Sequence, residues 1–170
     1  MKKIVCACVL LLLVSAQSYA RDLPLGGLTF TASDGKEHQL KEYIGKGRWV
    51  FLNAWGIRCP ICVEEMPDLE KLHTVQTKKA LVLGFVVDFP TLGYPSLETT
   101  NAFMKKHQLT FTNLLGDARL YRQFGAGELR GTPTMLVFTP EGHLLAKQVG
   151  KLTYQSLVDF IVAQDKVRSR

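Results

Sequence analysis

The fold class this sequence predicts is an α/β sandwich around a mixed β-sheet, and three observations carry the prediction. Two mostly apolar runs of strand length, RWVFLNAW (48–55) and ALVLGFVVD (80–88), have the composition of central strands buried on both faces. Segments with helical spacing follow each of them, so strands and helices alternate as they do in layered α/β domains. A second hairpin pattern and a last helix then close the chain. Its 170 residues suffice for one domain with a real core, and no internal repeat, low-complexity tract or Pro/Ser linker divides them.

In order along the chain, LTFTASDGKEHQL reads as two short strands around Asp34-Gly35, a strong hairpin signal and an N-terminal extension to the sheet. After the 48–55 strand, Cys62, Met66, Leu69, Leu72 and Val75 recur at helical spacing within a helix that runs from Cys59 to about Thr77. Its acidic residues crowd the first half, where they complement the helix dipole, and Pro67 predicts a kink. The second buried strand follows. SLETTNAFMKKHQ (96–108) reads as a helix and DARLYRQFG (117–125) as a shorter one stopped by Gly125. Between Asp88 and Gly131 the chain holds these two helices and one strand. TMLVFT and HLLAKQVG flank Pro140-Glu141-Gly142 as a hairpin, and TYQSLVDFIVAQDKV (153–167) is the final helix. DFPTLGYPSLE (88–98) is long for a connection and carries two prolines; it either rims a site or only joins elements.

The first twenty residues, MKKIVCACVLLLLVSAQSYA, stand apart. Lys2 and Lys3 form a basic start, an apolar run covers 4–16, and Ser18-Tyr19-Ala20 supplies small residues for a signal peptidase. The run is short of the roughly 20 residues a membrane-spanning helix needs. The expectation is a signal peptide over 1–20, cleaved after Ala20, leaving residues 21–170 as the domain; the alternative is an uncleaved N-terminal anchor. Removing Lys2 and Lys3 lowers the formal charge of +6 by two, to a mildly basic protein. Its lysines and arginines are scattered, with no basic-aromatic array, so nucleic acid is not an expected partner.

Cys6 and Cys8 leave with the signal segment, and Cys59 and Cys62 become the only possible intramolecular pair. A zinc site needs further ligands, and His38, His73, His107 and His143 are singly placed in different elements, so no metal is expected. A structural staple is weak, because closing so small a loop barely constrains the unfolded chain. Redox chemistry fits better. At a helix start, the unpaired amides of the first turn favour a Cys59 thiolate, with Cys62 one turn later as the buried resolving thiol. Pro60 falls where a missing N–H costs nothing. Arg58 either adds a fixed positive charge beside the nucleophile or is an ordinary surface arginine.

The segment WVFLNAWGIRCPICVEEMPDL resembles the active-site segment of thioredoxin-fold proteins, and most of all the extracytoplasmic TlpA/ResA/CcmG branch. Trp55 precedes Cys59 by four positions, the pair is Cys59-Pro60-Ile61-Cys62, and Pro67 follows Cys62 by five. RGTPT (130–134) resembles the cis-proline loop of that family, with Pro133 as the proline. The likeness extends from about Leu23 to Val167 and includes the N-terminal hairpin. It implies a thioredoxin-like α/β/α sandwich and a redox disulfide between Cys59 and Cys62. It also implies a substrate-docking edge at Thr132 and Pro133. Glu65 matches a family glutamate near the buried thiol, and it lies one turn from Cys62, where a carboxylate can take that thiol's proton. Glu64 fits better as part of a solvated first turn. Trp55 is expected as core packing or as substrate surface.

The chain departs from the commoner family pattern at Arg58 (usually Trp), Ala54 (usually aromatic), the Pro-Ile pair, and Asn53, where thioredoxin has a buried aspartate. These changes bear on potential and partner choice rather than on reaction class. The resemblance implies a periplasmic thiol–disulfide oxidoreductase, monomeric and without an organic cofactor, because the dithiol carries both electrons. It acts on disulfide-containing proteins or apocytochrome c, and a membrane electron donor of the DsbD/CcdA type keeps it reduced. Two rivals stand beside it: an oxidase or isomerase of secreted proteins, and a Cu(I) carrier using the same thiolates. The 42 residues between Asp88 and Gly131 are few for the helical insertion of DsbA-like oxidants. A peroxiredoxin-like peroxidase lacks its Thr-x-x-Cys pattern, since Gly56 occupies the threonine's place.

Overall fold

The Asp34-Gly35 turn joins strands β1 (Thr29–Thr31) and β2 (Glu37–Gln39) in the antiparallel hairpin the sequence predicts. Gly35 sits at φ 78°, in the left-handed region open to glycine. Phe30 and Ala32 of this hairpin, with Leu40 and Ile44 beyond it, pack onto one face of the main sheet. The computed structural model describes residues 27–169; the expected signal segment, with Cys6 and Cys8, lies outside them.

Strand β3 (Trp49–Trp55) is buried along its whole length. Trp49, Phe51 and Trp55 point into one core, while Val50, Leu52 and Ala54 point into the other. Helix α1 (Pro60–Val75) continues unbroken through Pro67 and ends two residues before the expected Thr77. It crosses to β4 (Ala80–Val86), which pairs parallel with β3. Helix α2 (Leu97–His107) starts on the Ser96 cap and leads to β5 (Asn113–Leu115), parallel to β4. Helix α3 (Ala118–Tyr121) passes into a 3-10 turn over Arg122–Phe124, and Gly125 at φ 71° ends it. Strands β6 (Thr134–Phe138) and β7 (Leu144–Val149) form the second hairpin, and α4 (Tyr154–Arg168) closes the fold.

The sheet order is β5-β4-β3-β6-β7, with β6 antiparallel to β3. Leu69 and Leu72 of α1, Leu157 and Ile161 of α4, and Phe103 and Met104 of α2 cover one face. The hairpin, Tyr121 and Phe124 cover the other. This is a thioredoxin-like layered α/β fold with the added hairpin. Full burial of each large apolar side chain contributes about 1.5–3 kcal/mol, so these two cores supply most of the driving force. Among the described residues no helix is long and apolar enough to cross a membrane.

The register places the site. Trp55 pairs with Val86 across the parallel strands, and Ala54 pairs with Thr134 across the antiparallel ones. The residues that leave β3 and β4 and those that enter β6 therefore meet at one edge of the sheet, the carboxyl edge where α/β folds place their ligands.

Candidate active site

Cys59 is the N-cap of α1, with φ −90° and ψ 106°, and Pro60 is the first helical residue. The Cys62 N–H donates to Cys59 Sγ at 3.3 Å, so one of the open amides of the first turn points at sulfur. The two cysteines are joined in a disulfide, with Cα atoms 5.2 Å apart. Cys62 has no exposed surface, and Cys59 retains 3 %. Cys59 is thus the more accessible cysteine, yet far more covered than a helix start alone suggests. It packs in the same core as Trp55 and Met66, and the Thr132 carbonyl oxygen lies 3.6 Å from its Sγ. The Thr132–Pro133 peptide is cis, as the RGTPT likeness implies.

Glu65 projects from α1 into the interior and is 1 % exposed. Asn53 Nδ2 donates to its Oε1 at 2.7 Å, and the Leu152 N–H donates to its Oε2 at 3.3 Å. Burial is the dominant influence and pushes the carboxyl up to about 7; the Asn53 and Leu152 hydrogen bonds oppose it. Asn53 stands where thioredoxin has an acid, and here it acts as a donor to one; its own Oδ1 has no hydrogen-bond partner among the described residues. Glu64, by contrast, is exposed and pairs with Lys151 at 3.2 Å.

Trp55 requires a correction. It has no exposed surface and offers none to a substrate. Its Nε1 donates to Asn113 Oδ1 at 2.8 Å, while Asn113 Nδ2 donates to the Phe111 carbonyl at 3.0 Å. Because β3 lies inside the sheet with helices on its Trp55 face, the indole is core. Arg58 is exposed and donates from Nη2 to Asp88 Oδ1 at 2.7 Å. Hydrogen bonds from Thr91 first and Arg58 second hold the Asp88 carboxyl below its usual range. Sequence reasoning did not single out Asp88. The signal was available in the parallel pattern, since residues that follow neighbouring parallel strands share the carboxyl edge. Nor can a threonine replace Gly56, because a Cβ there would lie 2.6 Å from Phe89 Cβ. Among the described residues, no group of three or more His, Cys, Asp or Glu side chains is placed to hold a metal ion.

A pair of sulfurs that cap a helix at this edge, faced by the proline loop, defines a thioredoxin-fold thiol–disulfide oxidoreductase. The chain belongs to the AhpC/TSA family, whose model matches residues 23–147. It is 30 % identical over 145 residues to the thiol–disulfide oxidoreductase ResA of Geobacillus thermodenitrificans, covering 85 % of this chain and 75 % of that one. Among solved structures it is similar to a DsbF homologue from Corynebacterium diphtheriae, with TM-score 0.69 and 24 % identity over 79 % of this chain and 82 % of that chain. It also resembles a secreted thiol–disulfide isomerase from Corynebacterium glutamicum, with TM-score 0.66 and 21 % identity over 77 % of this chain and 78 % of the other. These two likenesses carry the fold.

Proposed function

We propose that the protein is an extracytoplasmic reductant of protein disulfides, with apocytochrome c among its substrates, and that it acts as a monomer. In the reduced form, the first-turn amides of α1 stabilise negative charge on Cys59 Sγ. The Cys59 thiolate attacks one sulfur of the substrate disulfide, forming a mixed disulfide and releasing one substrate thiolate. Cys62, its proton taken up by Glu65, then attacks Cys59 Sγ. The Cys59–Cys62 disulfide closes and the second substrate thiolate leaves, so two electrons pass to the substrate. A membrane dithiol of the DsbD/CcdA type returns the pair to the reduced state. The Thr132 backbone, beside Cys59, serves as the docking edge for an extended substrate segment, with Pro133 shaping the loop.

The observation that carries this reading is the Cys62 N–H aimed at Cys59 Sγ on the helix N-cap. The expected location rests on the 1–20 segment, with its basic start and apolar run, and on the secreted neighbour of the same fold. A redox titration of residues 21–170 against glutathione and dithiothreitol tests the direction. A potential near the −270 mV of thioredoxin fits a reductant; one near the −120 mV of DsbA, about 150 mV higher, reassigns the protein as an oxidase.

A further inference from the structure

Between the 3-10 turn at Arg122–Phe124 and the cis Thr132–Pro133 bond, the chain runs through GAGELRG (125–131). Gly125 at φ 71° and Gly127 at φ 74° lie in the left-handed region, and glycine holds such a path without rigidity of its own. From 126 to 131, among the described residues, no N–H or carbonyl enters a backbone–backbone hydrogen bond. Only Leu129 of the segment is buried, in the core on the hairpin side of the sheet. Yet this segment delivers Thr132, whose carbonyl oxygen lies 3.6 Å from Cys59 Sγ. Ordering a chain so thinly bonded costs backbone entropy at every residue, so something must hold it.

The tie comes from β7. Lys147, paired in register with Leu136 of β6, donates from Nζ to the Ala126 carbonyl at 3.0 Å and to the Glu128 carbonyl at 2.8 Å. The ammonium thus spans Gly127, and it stands 5.5 Å from the centroid of the Tyr121 ring, which is fixed in the core. An ammonium offers three donors and no acceptor, so two carbonyls converging on it are well matched. Hydrogen bonds from a charged donor are roughly twice as strong as neutral ones. The Arg122–Glu128 pair at 3.5 Å joins two exposed groups and adds little. At the other end, the Thr134 hydroxyl donates to the Gly131 carbonyl at 2.7 Å, and the Gly150 N–H donates to the Pro133 carbonyl at 2.9 Å. Strand β7 and the residue after it therefore hold the docking loop from both flanks.

We propose that Lys147 is a positioning residue for disulfide exchange. By drawing the Ala126 and Glu128 carbonyls onto its ammonium, it fixes the 126–131 segment, and with it the Thr132 edge along which an extended protein substrate pairs. Among the described residues its side chain bonds to those two carbonyls and faces the Tyr121 ring, and it touches no reacting atom. Its effect therefore falls on substrates that present a backbone to that edge, and not on small disulfides that meet Cys59 alone. The assignment rests on the proposed exchange through Cys59.

The test offers the reduced protein two disulfides: an extended peptide whose single cysteine carries thionitrobenzoate, and dithiobis(nitrobenzoate) itself. The Cys59 thiolate attacks the disulfide and Cys62 then closes on Cys59. Each disulfide thus takes up two electrons, and its thionitrobenzoate leaves as a coloured thiolate. Lys147 is exposed and outside both cores, so its variants should fold. Lys147→Met, which keeps a long stem without donors, should slow the peptide on the order of ten-fold and leave the small disulfide unchanged. Ten-fold corresponds to about 1.4 kcal/mol, the scale of one hydrogen bond from a charged donor. Lys147→Arg, which restores charged donors, should keep the peptide rate closer to wild type than methionine does. Equal peptide rates for wild type and Lys147→Met, an equal fall with both disulfides, or an arginine variant no better than methionine would overturn the assignment. If the wild type releases no thionitrobenzoate from either disulfide, the proposed exchange itself fails, and the assignment with it.

Discussion

At the scale of single residues, Glu65 is a buried acid whose environment departs far from its chemistry in water. A carboxyl that is 1 % exposed, with two donors and no formal positive charge bonded to it, favours its neutral form. Its folded value near 7 exceeds the ordinary 4.5, so the stability it contributes is full below pH 4.5 and is lost as the pH rises through 7. Over that window the oxidised protein should lose on the order of 3 kcal/mol from this group. Glu65→Gln should flatten the dependence; urea unfolding of both proteins at pH 4.5 and 8 measures it. The same variant should slow closure of the Cys59–Cys62 disulfide most strongly above pH 7, where Glu65 is a base. Identical pH profiles for variant and wild type would reduce Glu65 to a packed polar residue. Its spacing from Cys62 was legible in the sequence. The Asn53 donor was not, because it depends on how α1 lies across β3. For Trp55 the sequence left core packing and substrate surface both open, and a strand buried on both faces decides for core.

At the scale of elements, the strands that carry the site depend on one close approach. Gly84 on β4 faces Asn113 on β5 in register, and a Cβ at Gly84 would lie 1.8 Å from Asn113 Oδ1 and 3.0 Å from Trp55 Nε1. Asn113 is poorly placed to swing aside, since the Phe111 carbonyl at 3.0 Å and Met104 Sδ at 3.4 Å already take its amide. Gly84→Ala should therefore break the Trp55–Asn113 hydrogen bond and overpack the core, a loss of about 3 kcal/mol or more. Denaturant unfolding gives the value, and the double variant Gly84→Ala/Asn113→Ala should recover part of it. A loss below about 0.5 kcal/mol, the scale of an ordinary surface substitution, would show that the approach is not tight. Long elements with strong periodicity were legible: β3, β4, both hairpins, α1, α2 and α4. The three-residue β5 has too few residues to show a period, and only its partner defines its bounds, whereas the short α3 with its 3-10 turn was legible as one helix stopped by Gly125.

For the molecule as a whole, topology turns scattered residues into one site. Cys59, Asp88 and Pro133 are far apart in sequence, and a β3–β4 parallel pair beside a β3–β6 antiparallel pair brings them to one edge. The thioredoxin-like class was legible because the motif and the alternation of strands and helices agree. The use of 88–98 was not, because its role lies in packing against Gly56 and pairing with Arg58 rather than in any local pattern. The account stands on a division of labour between two sulfurs in that edge. The most direct test is to trap the mixed disulfide formed with a protein substrate and map it by mass spectrometry in Cys62→Ser and Cys59→Ser variants. The account predicts a substrate joined to Cys59 in Cys62→Ser, and no adduct in Cys59→Ser. A substrate found on Cys62, or trapped equally by both variants, would contradict it.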